Sequence, residues 1–546
     1  MQRSLGSWLP ITLILICATV LLTWRLDAIY LWQDEAATAV LAERMLKYGK
    51  PLAYDGRNLI TMDSMADEDR ATLHLRTGDP EAMLKYLVAR KDFRADTTWV
   101  NQPWGQFVAA AVSLGILGHG TWQARLPFAL AGIATVLLLY LLVLRVFRDR
   151  GLALLSAALL VANVFWVLNA RQARYYALSS LFLVLSVTAF LRWQRGARWG
   201  AALFVLAGWL YFQSDFGSFF PTMGVLALVA AVASWPRIGR AVGVFAILGA
   251  SIAPFGWYYG IHDRVRNPIF PIEGRIAGTL YNANQFILAF PILLLAAWLV
   301  WWKRKELSRE LSLLLASSLG VIATLLVWVP TIAPAPFIRY MIQVVPLAAL
   351  VTAWTISWAA GALASLARTP SLRPWAMAVL SLLVAGTGVA SAPAVLVTLA
   401  VSDKRPPLNT GIRPELTLAA SDIFVPRPDP NRLSIEALRP LLRPRDEILV
   451  NYEDVPFMFY TDALVRGGIA AFRVEDVSAP PPRFAVIRQS VPFVHWPVFQ
   501  REFGRHQWQR IPTGAPDVRW GNFVDPNFWP SPASAPELII GERVGP

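Results

Sequence analysis

Long apolar stretches separated by short polar segments dominate this chain. A membrane-spanning helix needs roughly 20 predominantly apolar residues, whereas stretches of about 10 to 14 are more often interfacial or re-entrant. The shorter stretch from Trp104 to Leu117 is therefore predicted to be a juxtamembrane helix that lies along the membrane. The sequence predicts about eleven spans, near residues 8–26, 124–147, 152–169, 176–193, 199–213, 217–234, 240–260, 285–302, 311–329, 338–363 and 374–400.

The positions of lysine and arginine test this topology, because short cytoplasmic loops of membrane proteins collect positive charge. Eleven spans with a cytoplasmic N-terminus place all the basic clusters between spans on the cytoplasmic side. These clusters lie near residues 148–150, 192–198, 237–240, 303–309 and 368–373. The external segments are then residues 27–123, the corners at 171–176 and 213–216, residues 261–284 and 330–340, and the chain after Val401.

A helix is predicted directly after the first span. Apolar residues from Ala37 to Tyr48 recur at helical spacing, and Gly49 ends the pattern. Asp34 and Glu35 stand at the start of this helix. Asp34 is either its N-cap, with Glu35 favoured by the helix dipole, or a general base at the external membrane surface. The local sequence leaves both interpretations open.

The composition agrees with a polytopic membrane protein, since 55% of the 546 residues are hydrophobic. The formal net charge of +14 is typical of nucleic-acid binding, but the basic residues follow the predicted topology, so no nucleic-acid partner is expected. The single cysteine, Cys17, lies inside the first apolar stretch, which excludes a disulfide framework and a cysteine-based zinc site. The histidines show no metal-ligand spacing, so no metal ligands are predicted.

The chain changes character at Ser402, where proline and arginine become frequent. Alternating stretches at 447–452 and 484–488 predict strands, and residues 454–462 predict a short helix between them. We therefore expect a small external α/β domain at 402–546. It would follow a transmembrane domain at 1–401 that includes the first external loop, 27–123.

Arginines occur at external span ends, where the positive-inside rule does not predict them. Arg171 and Arg174 lie in one such corner, and Arg339 precedes Tyr340 at the start of another span. One interpretation is that these side chains snorkel to lipid headgroups. The other is that they bind an anion, because a guanidinium group is well suited to phosphate.

Two further external positions are candidates for ligand contact. Asp215 lies in the corner at 213–216, although a lone loop carboxylate is more often solvated than catalytic. Asn101 and Gln102 precede the juxtamembrane helix. They either hydrogen-bond a polar ligand or form a simple turn before a helix that starts at Pro103.

In combination, these segments resemble the GT-C membrane glycosyltransferases, in particular the group that contains protein O-mannosyltransferases and the lipid A aminoarabinose transferase. No single motif is specific, and the resemblance rests on the order and the shared external placement of the segments. The matching segments cover the chain from about residue 24 to 350 and are residues 34–36, 39–49, 101–103, 124–127, 173–177 and 339–346.

The resemblance implies an inverting transfer of a hexose or pentose from a polyprenyl-phosphate donor to an acceptor hydroxyl. The acceptor would be a lipid, a polysaccharide or a protein on the periplasmic face of a bacterial inner membrane. Asp34 would be the catalytic base, with Glu35 beside it. The donor phosphate would be bound by Arg171, Arg174, Arg339 and Tyr340, and substrate contacts would come from Asn101, Gln102, Tyr175 and Asp215.

Two departures from the family pattern affect the expected chemistry. Some relatives carry a second acidic residue in the corner at 171–176, where this sequence has none, so no cofactor is predicted and a divalent metal is left open. Gln102 replaces a family lysine before Pro103. Two other function classes remain open: a lipid-linked sugar transporter, which would carry charges at span centres, and a non-catalytic envelope-binding protein.

Overall fold

The structure is a computed structural model, and contacts divide its chain into two compact units. The first unit contains the chain up to Trp24 and from Phe128 to Val425, and the second contains Arg25–Pro127 and most of the chain from Pro426 onward. The predicted boundary at residue 401 lies outside the described residues. These are 8–60, 93–262, 276, 279, 280, 283, 286, 290, 292–332, 338–386, 423–426, 428–444, 446–467, 471–472, 482–488, 503–518 and 536–545.

The first unit is helical wherever the structure describes it. Residues 121–127 of the helix Thr121–Phe147 belong to the second unit, and a 3₁₀ turn at Ile338–Val344 precedes the helix Val345–Leu366. The helices are α1 (Leu9–Thr23), α4 (Thr121–Phe147), α5 (Arg150–Ala162), α6 (Val164–Ala170), α7 (Tyr176–Gln194), α8 (Gly200–Ser214), α9 (Phe216–Ser234), α10 (Gly239–Tyr258), α11 (Leu293–Lys303), α12 (Arg309–Ile332), α13 (Val345–Leu366) and α14 (Leu372–Gly386).

Six of the described helices, α4, α7, α9, α10, α12 and α13 with its 3₁₀ turn, are long and apolar enough to cross a membrane. A seventh span is present if α5 and α6 count as one, although they are bent by 68°. The bend has a local cause, because the Asn163 side chain accepts a hydrogen bond from the Trp166 backbone N–H at 2.8 Å and starts a new helix. The chain is therefore multi-pass, and the number eleven stays a prediction.

Packing within the first unit is close where small residues allow it. A Cβ atom at Gly132 on α4 would lie 3.0 Å from the Leu22 side chain on α1, so the glycine permits these helices to touch. Other helix faces expose large apolar side chains, including Leu228 and Val232 on α9 and Leu294 on α11. Such faces are expected on helices that contact lipid.

The second unit combines helices with a mixed sheet. Its α3 confirms the helix predicted at Trp104–Leu117, and its α2 confirms the helix predicted after the first span. The described elements are α2 (Gln33–Tyr48), β1 (Leu59–Ile60), α3 (Gly105–Leu117), α15 (Pro430–Leu438), β2 (Glu447–Val450), α16 (Asp454–Tyr460), β3 (Leu464–Gly467), β4 (Ala471–Phe472), β5 (Phe484–Ile487), β6 (Trp508–Ile511) and β7 (Ile539–Arg543). The C-terminal segment below means the described residues from Pro426 onward.

The seven described strands form one sheet in the order β1-β4-β3-β2-β5-β7-β6. Strand β2 runs parallel to β3 and β5, and the other pairs are antiparallel. The strands predicted at 447–452 and 484–488 are present as β2 and β5, and the predicted helix between them is α16. The unexpected member is β1, which the segment between α1 and α3 contributes to a sheet built by the C-terminal segment.

Asn58 fixes this long-range pairing beside β1. Its side-chain amide donates to the Ala463 carbonyl at 3.0 Å, and its carbonyl accepts from the Val465 N–H at 2.9 Å. Alternate residues of β2 and β5, including Ile448 and Val486, pack into a buried cluster on one face of the sheet. The described residues of the segment 27–123 and the C-terminal segment therefore belong to one folded unit.

Asp429 makes a second long-range contact, which joins the chain before α2 to the C-terminal segment. One carboxylate oxygen accepts from the Asn431 N–H at 3.0 Å and caps α15, while the other accepts from the Tyr30 N–H at 2.6 Å. Burial of this carboxyl group raises its pKa to about 6, with the neighbouring Glu453 acting in the same direction. Folding therefore favours the protonated acid.

This pKa predicts how the Asp429→Asn variant responds to pH. An acid whose pKa is higher in the folded state contributes stability at low pH and loses it as the pH rises through about 6. Asparagine does not titrate, so the stability of the variant relative to wild type should rise by roughly 2 to 3 kcal/mol between pH 4 and pH 7. Denaturation midpoints across that range measure it. The control is Asp462→Asn, at a fully exposed side chain. Its stability relative to wild type should not change with pH over this range.

Candidate active site

The predicted acidic pair lies at the N-terminus of α2, and its two members have different environments. Trp32 has an extended backbone, so the helix begins at Gln33 and Asp34 is its second residue. The prediction that Asp34 is the N-cap is therefore wrong. Glu35 supplies the capping bond instead, because its Oε2 accepts from the Trp32 N–H at 3.4 Å. Glu35 is completely buried, whereas Asp34 is partly exposed.

Arg125 at the start of α4 holds Glu35 in place. Its Nε donates to Glu35 Oε1 at 2.8 Å and its Nη2 donates to Oε2 at 2.5 Å, which makes a bidentate ion pair. Its Nη1 donates to the carbonyls of Leu26 and Ile29 at 2.6 and 2.7 Å, and Nη2 also reaches the Tyr30 carbonyl at 3.2 Å. One guanidinium group thus fixes both the chain before α2 and the first turn of α2.

Arg125 lies within the matching segment 124–127, but no role was predicted for it. Its partners Leu26 and Glu35 are about 90 to 100 residues away in sequence, and hydrophobic periodicity carries no information at such a separation. The available signal was an arginine on the predicted external side of a span. The same signal singled out Arg171, Arg174 and Arg339.

Asn101 and Gln102 lie before α3 in the same unit as the acidic pair. The Gln102 carbonyl oxygen accepts from the Gln106 side-chain amide at 2.8 Å, one turn into α3. Helix α3 packs against α2, where a Cβ atom at Gly115 would lie 3.2 Å from the Leu46 side chain. Gln102 therefore takes part in the start of α3, and a ligand contact from it stays a prediction.

The first unit brings four other predicted site residues together. Arg174 is buried, and its guanidinium carbon lies 5.4 Å from the centre of the Tyr175 ring. The Tyr175 hydroxyl interacts electrostatically with Asp215, Tyr340 and Arg174. The underlying reason is the packing of α7 against the 3₁₀ turn that carries Tyr340. In that turn Arg339 lies over the Tyr340 ring at 5.6 Å.

Asp215 is partly exposed, and its carboxylate makes local hydrogen bonds, so a ligand contact from it stays a prediction. Its Oδ1 accepts from the Gly217 N–H at 2.9 Å, and its Oδ2 accepts from the Ser218 hydroxyl at 2.5 Å. These bonds cap α9. Arg174 and Asp215 also interact electrostatically, which gives the corner at 171–176 a nearby carboxylate from another loop.

Arg171 makes a different set of contacts from Arg174. Its Nη2 donates to the Trp24 carbonyl at 2.5 Å, and its Nη1 donates to the Leu21 carbonyl. These carbonyls lie at the C-terminal end of α1, where helical partners are missing. Arg171 therefore completes the end of α1, and its predicted phosphate contact stays a prediction.

Metal ligation was left open by the sequence. Within the part of the chain that the structure describes, no group of three or more His, Cys, Asp or Glu side chains is arranged to hold a metal ion.

Comparison with solved structures shows the fold. The chain is similar to ArnT from Cupriavidus metallidurans in the apo state, with 15% identity, a TM-score of 0.56 and coverage of 98% of this chain and 97% of that chain. It is also similar to the same ArnT protein bound to undecaprenyl phosphate, with 13% identity, a TM-score of 0.53 and coverage of 98% of both chains. No family model and no curated protein matches the chain. The expected resemblance is confirmed as a fold shared with ArnT.

The ion pair around Arg125 predicts a large loss of stability when it is broken. Arg125→Ala leaves the Glu35 charge buried without its partner, which typically costs about 3 to 5 kcal/mol. Adding Glu35→Gln should recover part of that loss, because the unpaired charge is removed. Thermal unfolding in detergent measures both, and Arg57→Ala, at a half-exposed ion pair, is the control. An unchanged midpoint for Arg125→Ala would contradict the assigned role.

Proposed function

We propose that this protein is an inverting glycosyltransferase that moves a sugar from a polyprenyl-phosphate carrier to an acceptor hydroxyl. The observation that carries the proposal is the contrast within the acidic pair. Glu35 is buried and ion-paired to Arg125, whereas its neighbour Asp34 is partly exposed at the positive end of α2. The fold shared with ArnT, which has been seen with undecaprenyl phosphate, supports the same assignment.

Asp34 is the general base in this proposal. It takes the proton from the acceptor hydroxyl, and the acceptor oxygen then forms a bond to the anomeric carbon of the sugar. The bond from that carbon to the phosphate oxygen breaks, and the phosphate leaves with the electron pair. Attack from the side opposite the leaving group inverts the anomeric configuration. Glu35 acts indirectly, by fixing the first turn of α2.

The leaving phosphate gains charge as the bond breaks, so cationic groups that hold it lower the barrier. We assign this task to Arg174 and Arg339, with the Tyr340 hydroxyl as a further donor. Arg174 is the stronger choice, because it is buried beside Tyr175 and near Asp215. Arg171 is less suited, because its guanidinium donates to carbonyls at the end of α1.

The proposal includes a location in a bacterial inner membrane with the active site facing the periplasm. Eleven crossings are supported by the seven spans that include the bent pair, together with the shorter apolar helices α1, α8, α11 and α14. Helix α3 is then the juxtamembrane helix. The C-terminal residues 402–546 form the proposed periplasmic α/β domain, and the acceptor is a lipid, a polysaccharide or a protein.

The Asp34→Asn variant tests the base directly. Asparagine preserves the shape of the side chain but cannot accept the proton, so sugar transfer should fall by roughly 100- to 10,000-fold. Mass spectrometry of envelope glycans, from cells with wild type, variant or no protein, measures transfer. The matched control is Asp27→Asn, an exposed carboxylate in the same external segment. If cells with Asp34→Asn have wild-type envelope glycans, Asp34 is not the general base, and an envelope-binding role is favoured.

The phosphate-binding role of Arg174 makes a separate prediction. Arg174→Ala removes a charged donor, so binding of undecaprenyl phosphate by the purified protein should weaken by roughly 10- to 100-fold, as expected for a charge-assisted hydrogen bond. Asp34→Asn should leave this binding unchanged. Arg198→Ala, at an exposed arginine beyond the other end of α7, is the control. Equal binding by Arg174→Ala and wild type would remove Arg174 from the phosphate site.

A further inference from the structure

The C-terminal segment forms hydrogen bonds with Gln33, the residue directly before Asp34. The Gln33 side-chain amide donates to Asp454 Oδ1 at 2.7 Å, and the Gln33 carbonyl oxygen accepts from the Val455 N–H at 3.2 Å. Gln33 is 5% exposed and Asp454 is completely buried. This reciprocal pair of bonds, called the Gln33–Asp454 clamp below, joins the first residue of α2 to the first turn of α16.

The other end of α16 holds the same stretch of chain. The Tyr460 hydroxyl accepts from the Leu31 N–H at 3.0 Å and lies 2.6 Å from the Thr121 hydroxyl at the start of α4. The Tyr460 ring stacks on the Tyr30 ring with centroids 4.0 Å apart. Residues 30, 31 and 33 are therefore all fixed by one short helix that lies more than 400 residues later in the chain.

A buried charge network holds the clamp itself. Glu453, directly before Asp454, has a left-handed backbone with φ of 57°, which a residue with a side chain adopts only when its surroundings enforce it. The Glu453 side chain is held by Arg488, whose Nη1 pairs with Glu453 at 2.6 Å and whose Nε pairs with Asp517 at 2.6 Å. All these side chains are buried. The direction of the Asp454 carboxylate is thus set by the core of the C-terminal segment.

We infer that Asp454 and Gln33 are positioning residues for Asp34, and that the C-terminal segment contributes to transfer through them. This inference rests on the proposed function, in which Asp34 is the base. The hydrogen bond from the Gln33 amide to Asp454 lies in the buried interior, where such bonds are electrostatically stronger than in water. It fixes the peptide next to the base, and a displacement of about 1 Å from a productive geometry can lower a rate by roughly 100-fold.

The decisive experiment compares four variants, using as donor an undecaprenyl-phosphate-linked hexose or pentose that the wild type accepts. Asp454→Ala and Gln33→Ala should each lower kcat by roughly 10- to 100-fold, with the donor KM within about twofold of wild type. Asp454→Asn keeps an acceptor oxygen for Gln33 and should recover most of kcat. Asp462→Ala, which removes an exposed carboxylate just beyond α16, should match wild type.

The energetic coupling between Gln33 and Asp454 gives an independent test of the inference. Because both belong to one clamp, the double variant Gln33→Ala with Asp454→Ala should be no slower than the slower single variant. Amide hydrogen exchange at residues 34–36 should be faster in each variant than in wild type, which measures the loosened helix start without any sugar transfer. Additive losses in kcat, or unchanged exchange, would overturn the inference.

Folding and positioning are separated by working below the unfolding midpoint of every variant. If Asp454→Ala does not fold, Tyr460→Phe removes only the hydroxyl that holds Leu31 and should also lower kcat more than it raises KM. If Asp454→Ala folds and has a wild-type kcat, the positioning role is overturned. If it does not fold, a wild-type kcat in Tyr460→Phe overturns the role. Active Asp34→Asn would instead refute the proposed base, whereas inactive Asp34→Asn with fully active clamp variants would refute the positioning role alone.

Discussion

The buried ion pair between Arg125 and Glu35 is the interaction on which the geometry around the proposed base depends. A carboxylate without exposure is costly unless it is paired and hydrogen-bonded. Arg125 meets that requirement with two bonds to Glu35 and three to backbone carbonyls between Leu26 and Tyr30. The same bonds fix where α2 begins. The position of Asp34 is thus a consequence of satisfying its neighbour.

The C-terminal segment completes this arrangement from the other side. Arg125 donates to carbonyl groups of the chain before α2. In the same stretch, the Tyr30 N–H donates to Asp429 and the Leu31 N–H donates to Tyr460. Carbonyls and N–H groups of a short irregular stretch are therefore both paired, as buried backbone requires. The strand β1 and Asn58 join the chain after α2 to the same unit. The described residues between Arg25 and Pro127 and the C-terminal segment are therefore parts of one structural unit.

The sequence predicted the local helices and strands well, but it did not predict the hydrogen bonds and ion pairs between residues far apart in the chain. Helical spacing after the first span correctly predicted α2, and alternating residues correctly predicted β2 and β5, because both patterns are local. The partners of Glu35, Asn58 and Gln33 lie about 90 to more than 400 residues away, and no periodicity encodes them. The N-cap prediction for Asp34 failed for a related reason. Trp32, with its extended backbone, is the N-cap, so the helix starts two residues earlier than an N-cap at Asp34 would place it.

Two adjacent carboxylates in the first turn of α2 are explained by a division of tasks. A single acid cannot both neutralise a buried arginine and exchange a proton with a substrate, because the first task requires a permanent charge in a closed environment. Glu35 performs the first task, and Asp34, one residue earlier and partly exposed, is left with a fixed backbone and access to solvent. Since successive helical residues point about 100° apart, the ion pair that buries Glu35 also directs Asp34 away from it. The burial of one carboxylate therefore determines the availability of the other.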